Sequence, residues 1–131
     1  MYIYRAKVGR VVDGDTIDLE WIDKGFGEKQ FAVGKQPLRL RLFGVNTKET
    51  IRRKGTTEAD VALGLQAREW MKQVIEGQTV KIKTVKGGQS DHFGRFLVWI
   101  WLDGPDDEPL LDSGSLNEEL LRRGLAERFI G

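Results

Sequence analysis

The sequence contains no cysteine and only one histidine among its 131 residues. The absence of cysteine excludes disulfides, thiolate metal sites and a cysteine nucleophile. A single histidine excludes zinc sites that need two or more imidazole ligands. No apolar run approaches the roughly 18 residues that indicate a membrane-spanning helix, so we expect no membrane partner. A metal site in this chain would therefore use hard oxygen ligands, and charged side chains are available beside it.

The composition is that of a small globular protein, with 40% hydrophobic and 31% charged residues. We expect one domain over residues 1–131, soluble and monomeric, with enough apolar residues for a single core. The net charge of only +1 argues against a protein that coats nucleic acid in general. The first residues predict a strand and not an apolar signal segment, so we expect a cytoplasmic location. Secretion stays open, because a trimmed signal segment would leave this same sequence.

Alternating apolar and polar residues predict the first strands. Arg5–Val12 and Thr16–Ile22 form two such runs around Asp13-Gly14-Asp15, a turn typical of tight hairpins. Residues 23–36 are interpreted as an extended hairpin loop. In the next run, leucines at positions 38, 40 and 42 alternate with Arg39, Arg41 and Phe43, so Arg41 is expected to point away from the leucine face.

Capping residues predict two helices. Thr57 followed by Asp60 indicates the start of the first helix, and Gly77 its end. Two further strands are expected at residues 80–85 and 93–102. Ser115 then begins a second helix, which Gly124 ends. The order β-β-β-α-β-β-α predicts an α+β fold, rich in strands, in which two packed helices accompany a five-stranded barrel of OB type.

Polar residues lie where these elements begin or end. Asp15 leaves the first hairpin turn, Asn46 and Thr47 follow the third strand, and Arg95 precedes the fifth. Oxygen ligands from Asp15, the Asn46 amide and a backbone carbonyl suit a hard cation such as Ca²⁺. Two guanidinium groups beside such a cation would bind a phosphodiester.

The segment after the third strand is basic. It contains Lys48, Arg52, Arg53 and Lys54, with Glu49 as its only acid. Such a segment is able to attract a polyanion. The alternative interpretation is an ordinary solvated loop.

Four motifs together resemble the staphylococcal-nuclease-like (thermonuclease) family over residues 4–129. They are Asp13-Gly14-Asp15-Thr16, residues 41–49, Phe93-Gly94-Arg95, and residues 117–126. The resemblance implies a calcium-dependent phosphodiesterase, an endonuclease that acts on DNA and RNA, single-stranded in particular. It implies calcium binding by Asp15, Asn46 and the Thr47 carbonyl, Glu49 as the general base, and Arg41 and Arg95 as phosphate ligands. His92 and Phe93 match a lysine and a tyrosine that handle the nucleotide in the family.

One departure from the family bears on the metal. Asn46 stands where the family usually has a second calcium-binding aspartate, which keeps an oxygen ligand but removes a negative charge. Fewer anionic ligands predict weaker binding of a divalent cation. A non-catalytic module that binds nucleic acid or protein is therefore the alternative to the nuclease. A binder of phosphorylated small molecules is a third interpretation.

Overall fold

The computed structural model describes residues 3–23, 29–31, 38–51, 54–85, 96–105 and 109–129. Within them lie two α-helices, α1 (Glu58–Ile75) and α2 (Leu116–Arg122), and a short 3-10 turn at Asp112–Gly114. The strands are β1 (Ile3–Asp13), β2 (Thr16–Asp23), β3 (Lys29–Phe31), β4 (Leu38–Leu42), β5 (Val45–Asn46), β6 (Thr79–Thr84), β7 (Phe96–Leu102) and β8 (Glu127–Arg128).

Five of the strands close into a mixed barrel. The sheet runs β1-β6-β7-β4-β2, and β1 pairs with β2 to complete the ring. All of these pairings are antiparallel except that of β4 with β7. The predicted OB-like α+β fold is confirmed. β3 is an addition to the prediction, because this three-residue strand pairs with the end of β2 inside a stretch interpreted as a loop.

The barrel interior and the faces of both helices form one apolar core. Strand residues alternate into the barrel because successive side chains of a strand point to opposite faces. Met71 and Ile75 of α1 and Leu120 of α2 are fully buried against it. The strand contribution to the core includes Val8, Ile17, Leu42, Val80, Ile82, Val98 and Ile100.

Both helices begin at the predicted caps. At α1 the Thr57 side chain accepts from the Asp60 backbone N–H, and the Asp60 side chain accepts from that of Thr57. At α2 the Ser115 side chain accepts from the Glu118 backbone N–H. Gly124 follows α2 with φ +69°, a conformation that side-chain-bearing residues rarely adopt.

Two short strands connect the barrel to the residues after α2. Val45 pairs with Arg128 and Asn46 with Glu127, so β5 and β8 form an antiparallel ladder of their own. The Phe129 backbone N–H continues the contact by donating to the Gly44 carbonyl at 2.9 Å. No helix in the described ranges is long and apolar enough to cross a bilayer.

Candidate active site

The carboxylate of Asp15 lies at the centre of the site. It occupies the turn between β1 and β2 and is only 6% exposed. Its Oδ2 accepts from the Thr47 backbone N–H at 3.0 Å, and its Oδ1 accepts from the Thr16 hydroxyl at 3.0 Å. The Asp15 backbone carbonyl also accepts from the Leu42 N–H at 2.8 Å. These bonds fix the hairpin turn against the end of β4 and against the segment that follows β5.

Arg41 lies between two of the predicted metal ligands. It points out of the barrel from β4, as the alternation predicts, and is 6% exposed. Its Nη2 donates to Asn46 Oδ1 at 2.9 Å and lies 3.4 Å from Asp15 Oδ2. The guanidinium is thus held by the same oxygens that the sequence analysis assigned to a cation.

The oxygen atoms at this site are of the types that bind a hard cation. They are the buried carboxylate of Asp15, the amide oxygen of Asn46 on β5 and the backbone of Thr47, whose N–H already bonds to Asp15. Oxygen ligands of these kinds are those that Ca²⁺ prefers. Within the described ranges no cluster of three or more His, Cys, Asp or Glu residues has metal-ligating geometry. Any cation here would therefore depend on neutral as well as anionic oxygens.

Two glycines allow other parts of the chain to lie close to the segment that carries Glu49. The Cβ that an alanine would add at Gly64, inside α1, would lie 2.5 Å from the carbonyl oxygens of both Lys48 and Glu49. A Cβ at Gly14 would lie 2.8 Å from the Thr47 side chain. The helix and the hairpin turn therefore approach residues 47–49 closely from two sides. The Glu49 side chain itself is exposed.

Asp13 lies at the edge of the site in a partly buried position. Its Oδ1 accepts from the Thr50 hydroxyl at 3.2 Å. Burial raises the pKa of Asp13, and the negative charges of Asp15 and Glu49 act in the same direction. The bond from Thr50 opposes the shift. Burial and the neighbouring acids therefore favour the protonated form of the Asp13 carboxyl.

An aromatic ring covers the guanidinium. The Phe129 ring centroid lies 5.1 Å from Arg41 Cζ, and 41% of Phe129 remains exposed. This contact is not predictable from the sequence, because Phe129 follows the last helix and belongs to no periodic pattern. Gly64 was not predicted either, although a glycine that interrupts a helical pattern is a usable signal for a close approach.

Part of the predicted site lies outside the described residues. Arg95, His92, Phe93, Arg52 and Arg53 all fall there. Of the basic segment, Lys48 is described and forms ion pairs with Glu127 at 3.4 Å and Asp60 at 4.0 Å, whereas Lys54 is exposed. The structure therefore brings together Asp15, Arg41, Asn46 and Thr47, and leaves the convergence of the other predicted residues a prediction.

Comparisons with known proteins point to one family. Residues 39–130 match the family model described as "Staphylococcal nuclease homologue". The chain is 32% identical over 120 residues to "Thermonuclease" from Staphylococcus hyicus, covering 92% of this chain and 56% of that protein. It is 30% identical over 128 residues to "Endonuclease Htp3" from Saprolegnia parasitica, covering 95% and 56% respectively. An uncharacterised protein of Methanocaldococcus jannaschii is 28% identical over 141 residues, covering 97% and 60%. The chain thus spans a little over half the length of these relatives.

Proposed function

The chain belongs to the staphylococcal nuclease homologue family, and from that premise we propose that it is a nuclease domain that hydrolyses single-stranded DNA or RNA with the help of Ca²⁺. The observation that supports the proposal is the buried pair of Asp15 and Arg41 at one end of the barrel, which hydrogen-bonds to the exposed Asn46. Burying an ion pair costs desolvation free energy, and packed apolar side chains of similar volume would give the fold at least as much stability. A functional reason for the arrangement is therefore favoured.

Each side chain has a role in this proposal. Asp15, Asn46 and the Thr47 carbonyl would hold Ca²⁺, which as a Lewis acid stabilises negative charge on the phosphate oxygens. Glu49, exposed beside this group, orients and deprotonates the attacking water. Arg41 donates to phosphate oxygens that gain charge in the transition state, and Arg95 is assigned the same task from the family resemblance.

Digestion of single-stranded DNA tests the nuclease proposal. We expect cleavage with millimolar Ca²⁺ and none with excess chelator. Glu49→Gln and Arg41→Ala should each lower kcat about 100-fold or more, because each removes an interaction with the reacting groups. Glu20→Gln and Arg39→Ala are matched controls, since both residues are exposed and form ion pairs elsewhere on the surface, with Lys7 and Asp18. Equal cleavage by all four variants would contradict the proposed site.

A second candidate function is a binding module without catalysis. The observation in its favour is the bond from Arg41 to Asn46, because the guanidinium already supplies positive charge where a cation is expected. This candidate predicts that the purified protein binds single-stranded DNA equally with Ca²⁺ or chelator and cleaves it in neither condition.

A further inference from the structure

The side chain of Lys48 connects three parts of the structure beside Glu49. Its ammonium lies 3.4 Å from Glu127 Oε1 on β8 and 4.0 Å from Asp60 Oδ1 in the first turn of α1. Lys48 itself follows β5 by two positions and directly precedes Glu49. One side chain therefore joins the segment after β5 to the start of α1 and to β8.

The two acids that hold Lys48 lie on elements with backbone contacts of their own. Asp60 Oδ2 accepts from the Thr57 backbone N–H at 3.2 Å as part of the helix cap, and its other oxygen, Oδ1, is the one nearest Lys48. Glu127 pairs in register with Asn46 in the ladder between β5 and β8. Both elements are thus fixed by contacts that do not involve the Lys48 side chain.

The residue on the other side of Glu49 is anchored as well. Thr50 donates its hydroxyl to Asp13 Oδ1 at 3.2 Å. The backbone of residues 48 and 49 lies against α1 at Gly64, where it leaves no room for a Cβ. Glu49 is exposed between these anchors. The place of its carboxylate therefore depends on how firmly the residues on either side are held.

The ion pairs of Lys48 favour a role in placing its neighbour over direct binding of phosphate. A phosphate that binds the ammonium has to compete with two carboxylates that already lie within 4.0 Å. Exposed ion pairs contribute little to the stability of a fold, and the Lys48 side chain is 36% exposed. Small free energies are nevertheless sufficient to shift the populations of two conformations of a surface segment. A reacting carboxylate on that segment converts such a shift into a change of rate.

We propose that Lys48 is a positioning residue that acts through Glu49. Its ion pairs with Glu127 and Asp60 hold the segment in the conformation from which Glu49 reaches the water that attacks the phosphate. The inference rests on the proposed function, because it takes Glu49 as the general base. Loss of the ion pairs lowers the fraction of molecules in that conformation, so kcat and kcat/KM fall together while KM stays the same.

Steady-state cleavage of single-stranded DNA by substituted proteins tests this role. Lys48→Gln should lower kcat about three- to fivefold with KM within about twofold of the wild type, because it removes both ion pairs. Lys48→Arg keeps the charge and should restore most of kcat. Lys7→Gln is the matched control and should leave kcat unchanged, because Lys7 is 37% exposed and pairs with Glu20 at 3.3 Å.

A double-mutant cycle isolates the ion pair with Glu127. Glu127→Gln should lower kcat about twofold, and the double variant should be no less active than Lys48→Gln alone, because the contact is already absent there. Thermal unfolding of the same variants measures the effect on the fold. Each Tm should lie close to that of the wild type, as expected for exposed ion pairs.

The outcomes separate the positioning role from the alternatives. A raised KM with unchanged kcat in Lys48→Gln would make Lys48 a phosphate ligand and overturn the proposal. Equal kcat in Lys48→Gln and wild type, a loss that Lys48→Arg shares in full, or additive losses in the cycle would also overturn it and leave the nuclease untouched. Absence of cleavage by the wild type with millimolar Ca²⁺ would reject the nuclease and, with it, any role of Lys48 in catalysis.

Discussion

The guanidinium of Arg41 donates a 2.9 Å hydrogen bond to the side-chain oxygen of Asn46. The same Nη2 atom lies 3.4 Å from Asp15 Oδ2. A positively charged donor therefore lies between two oxygens that are suited to a cation. If Ca²⁺ binds these two oxygens, their contacts with Arg41 have to weaken, because the cation and the guanidinium are both attracted to the same atoms and repel each other.

Replacement of Arg41 should strengthen Ca²⁺ binding in the absence of substrate. Arg41→Gln removes a positive charge from beside Asp15 and keeps an amide that can bond to neighbouring oxygens. We expect Ca²⁺ affinity, measured by calorimetry, to rise several-fold, and Ca²⁺ to raise the Tm by more than in the wild type. Arg39→Gln is the control, because Arg39 lies on the same strand and pairs with Asp18 at 2.7 Å. Weaker Ca²⁺ binding by Arg41→Gln would show that the arginine supports the cation site.

A carboxylate at position 46 should also tighten Ca²⁺ binding. Asn46→Asp adds an anionic ligand while keeping the side-chain length. We expect the Kd for Ca²⁺ to fall about three- to tenfold, since affinity in oxygen sites follows the number of charged ligands. Asn46→Ala, which removes the oxygen, should weaken binding. If the two substitutions have the same effect, position 46 is not a ligand.

A side chain at position 64 should displace Glu49. Gly64→Ala adds a methyl group only 2.5 Å from two carbonyl oxygens of residues 48 and 49, so the helix and the loop have to separate. Small displacements of a catalytic group are costly, and we expect kcat to fall about 10- to 100-fold with little change in KM.

The control for that substitution is Gly114→Ala, where an added Cβ has no neighbour within 4 Å. Thermal unfolding of both variants measures the structural cost separately from the kinetic one. Alanine favours the helix by about 1 kcal/mol over glycine, which offsets part of the strain at position 64. Unchanged kcat in a folded Gly64→Ala protein would remove the positioning role of this glycine.

Asp13 should make the stability of the metal-free protein fall as the pH rises. Burial and the charges of Asp15 and Glu49 raise its pKa above the ordinary value of 3.8. The folded state therefore keeps the proton more tightly than the unfolded state. This contribution is complete below about 3.8 and is lost as the pH rises through the raised pKa. Asp13→Asn keeps an oxygen that can accept from Thr50 and removes the titration.

Urea unfolding over a pH series with chelator measures the Asp13 effect. The free energy of unfolding of Asp13→Asn, minus that of the wild type, should increase with pH across this window. Comparing the two proteins cancels the carboxyl groups that do not interact with Asp13, because those groups titrate alike in both. A difference that is constant with pH would contradict the prediction.

Asn117 should be essential for stability rather than for cleavage. It is 1% exposed, donates to the carbonyls of Phe43 and Val98 at 2.9 and 3.0 Å, and accepts from the Ile100 N–H at 3.0 Å. Asn117→Leu leaves these three backbone groups buried without this partner, at a cost of about 3 kcal/mol or more in urea unfolding. Gln73→Leu, an exposed amide on α1, is the control and should change stability little.

Local signals in the sequence predicted most of the fold. The Thr57 cap, the leucine alternation of β4 and the turn at Asp15 depend on neighbours within a few residues, so they are visible without tertiary structure. The short strands β3, β5 and β8 were missed because two or three residues show no period. What defines β8 is its pairing with β5, more than 80 positions earlier in the chain.

Residues of the candidate site could be picked out from the sequence where their own side-chain chemistry suits the proposed role. Asp15, Arg41, Asn46 and Thr47 lie in hydrogen-bond contact because strand ends and turns bring them together, and their roles as ligands stay a prediction. Gly64 and Phe129 escaped prediction since their importance comes from a distance to a distant segment, 2.5 Å and 5.1 Å respectively, and not from their own chemistry.

The ladder between β5 and β8 has a consequence for the order of folding. It connects residues 45–46 to residues 127–128, so the site contains a contact between distant parts of the chain. Contacts of such long sequence separation carry a loop-closure entropy cost. During synthesis Arg41 emerges long before the ring that covers it. The contact of Phe129 with Arg41 can therefore form only after all the barrel strands and residues 127–129 have been synthesised.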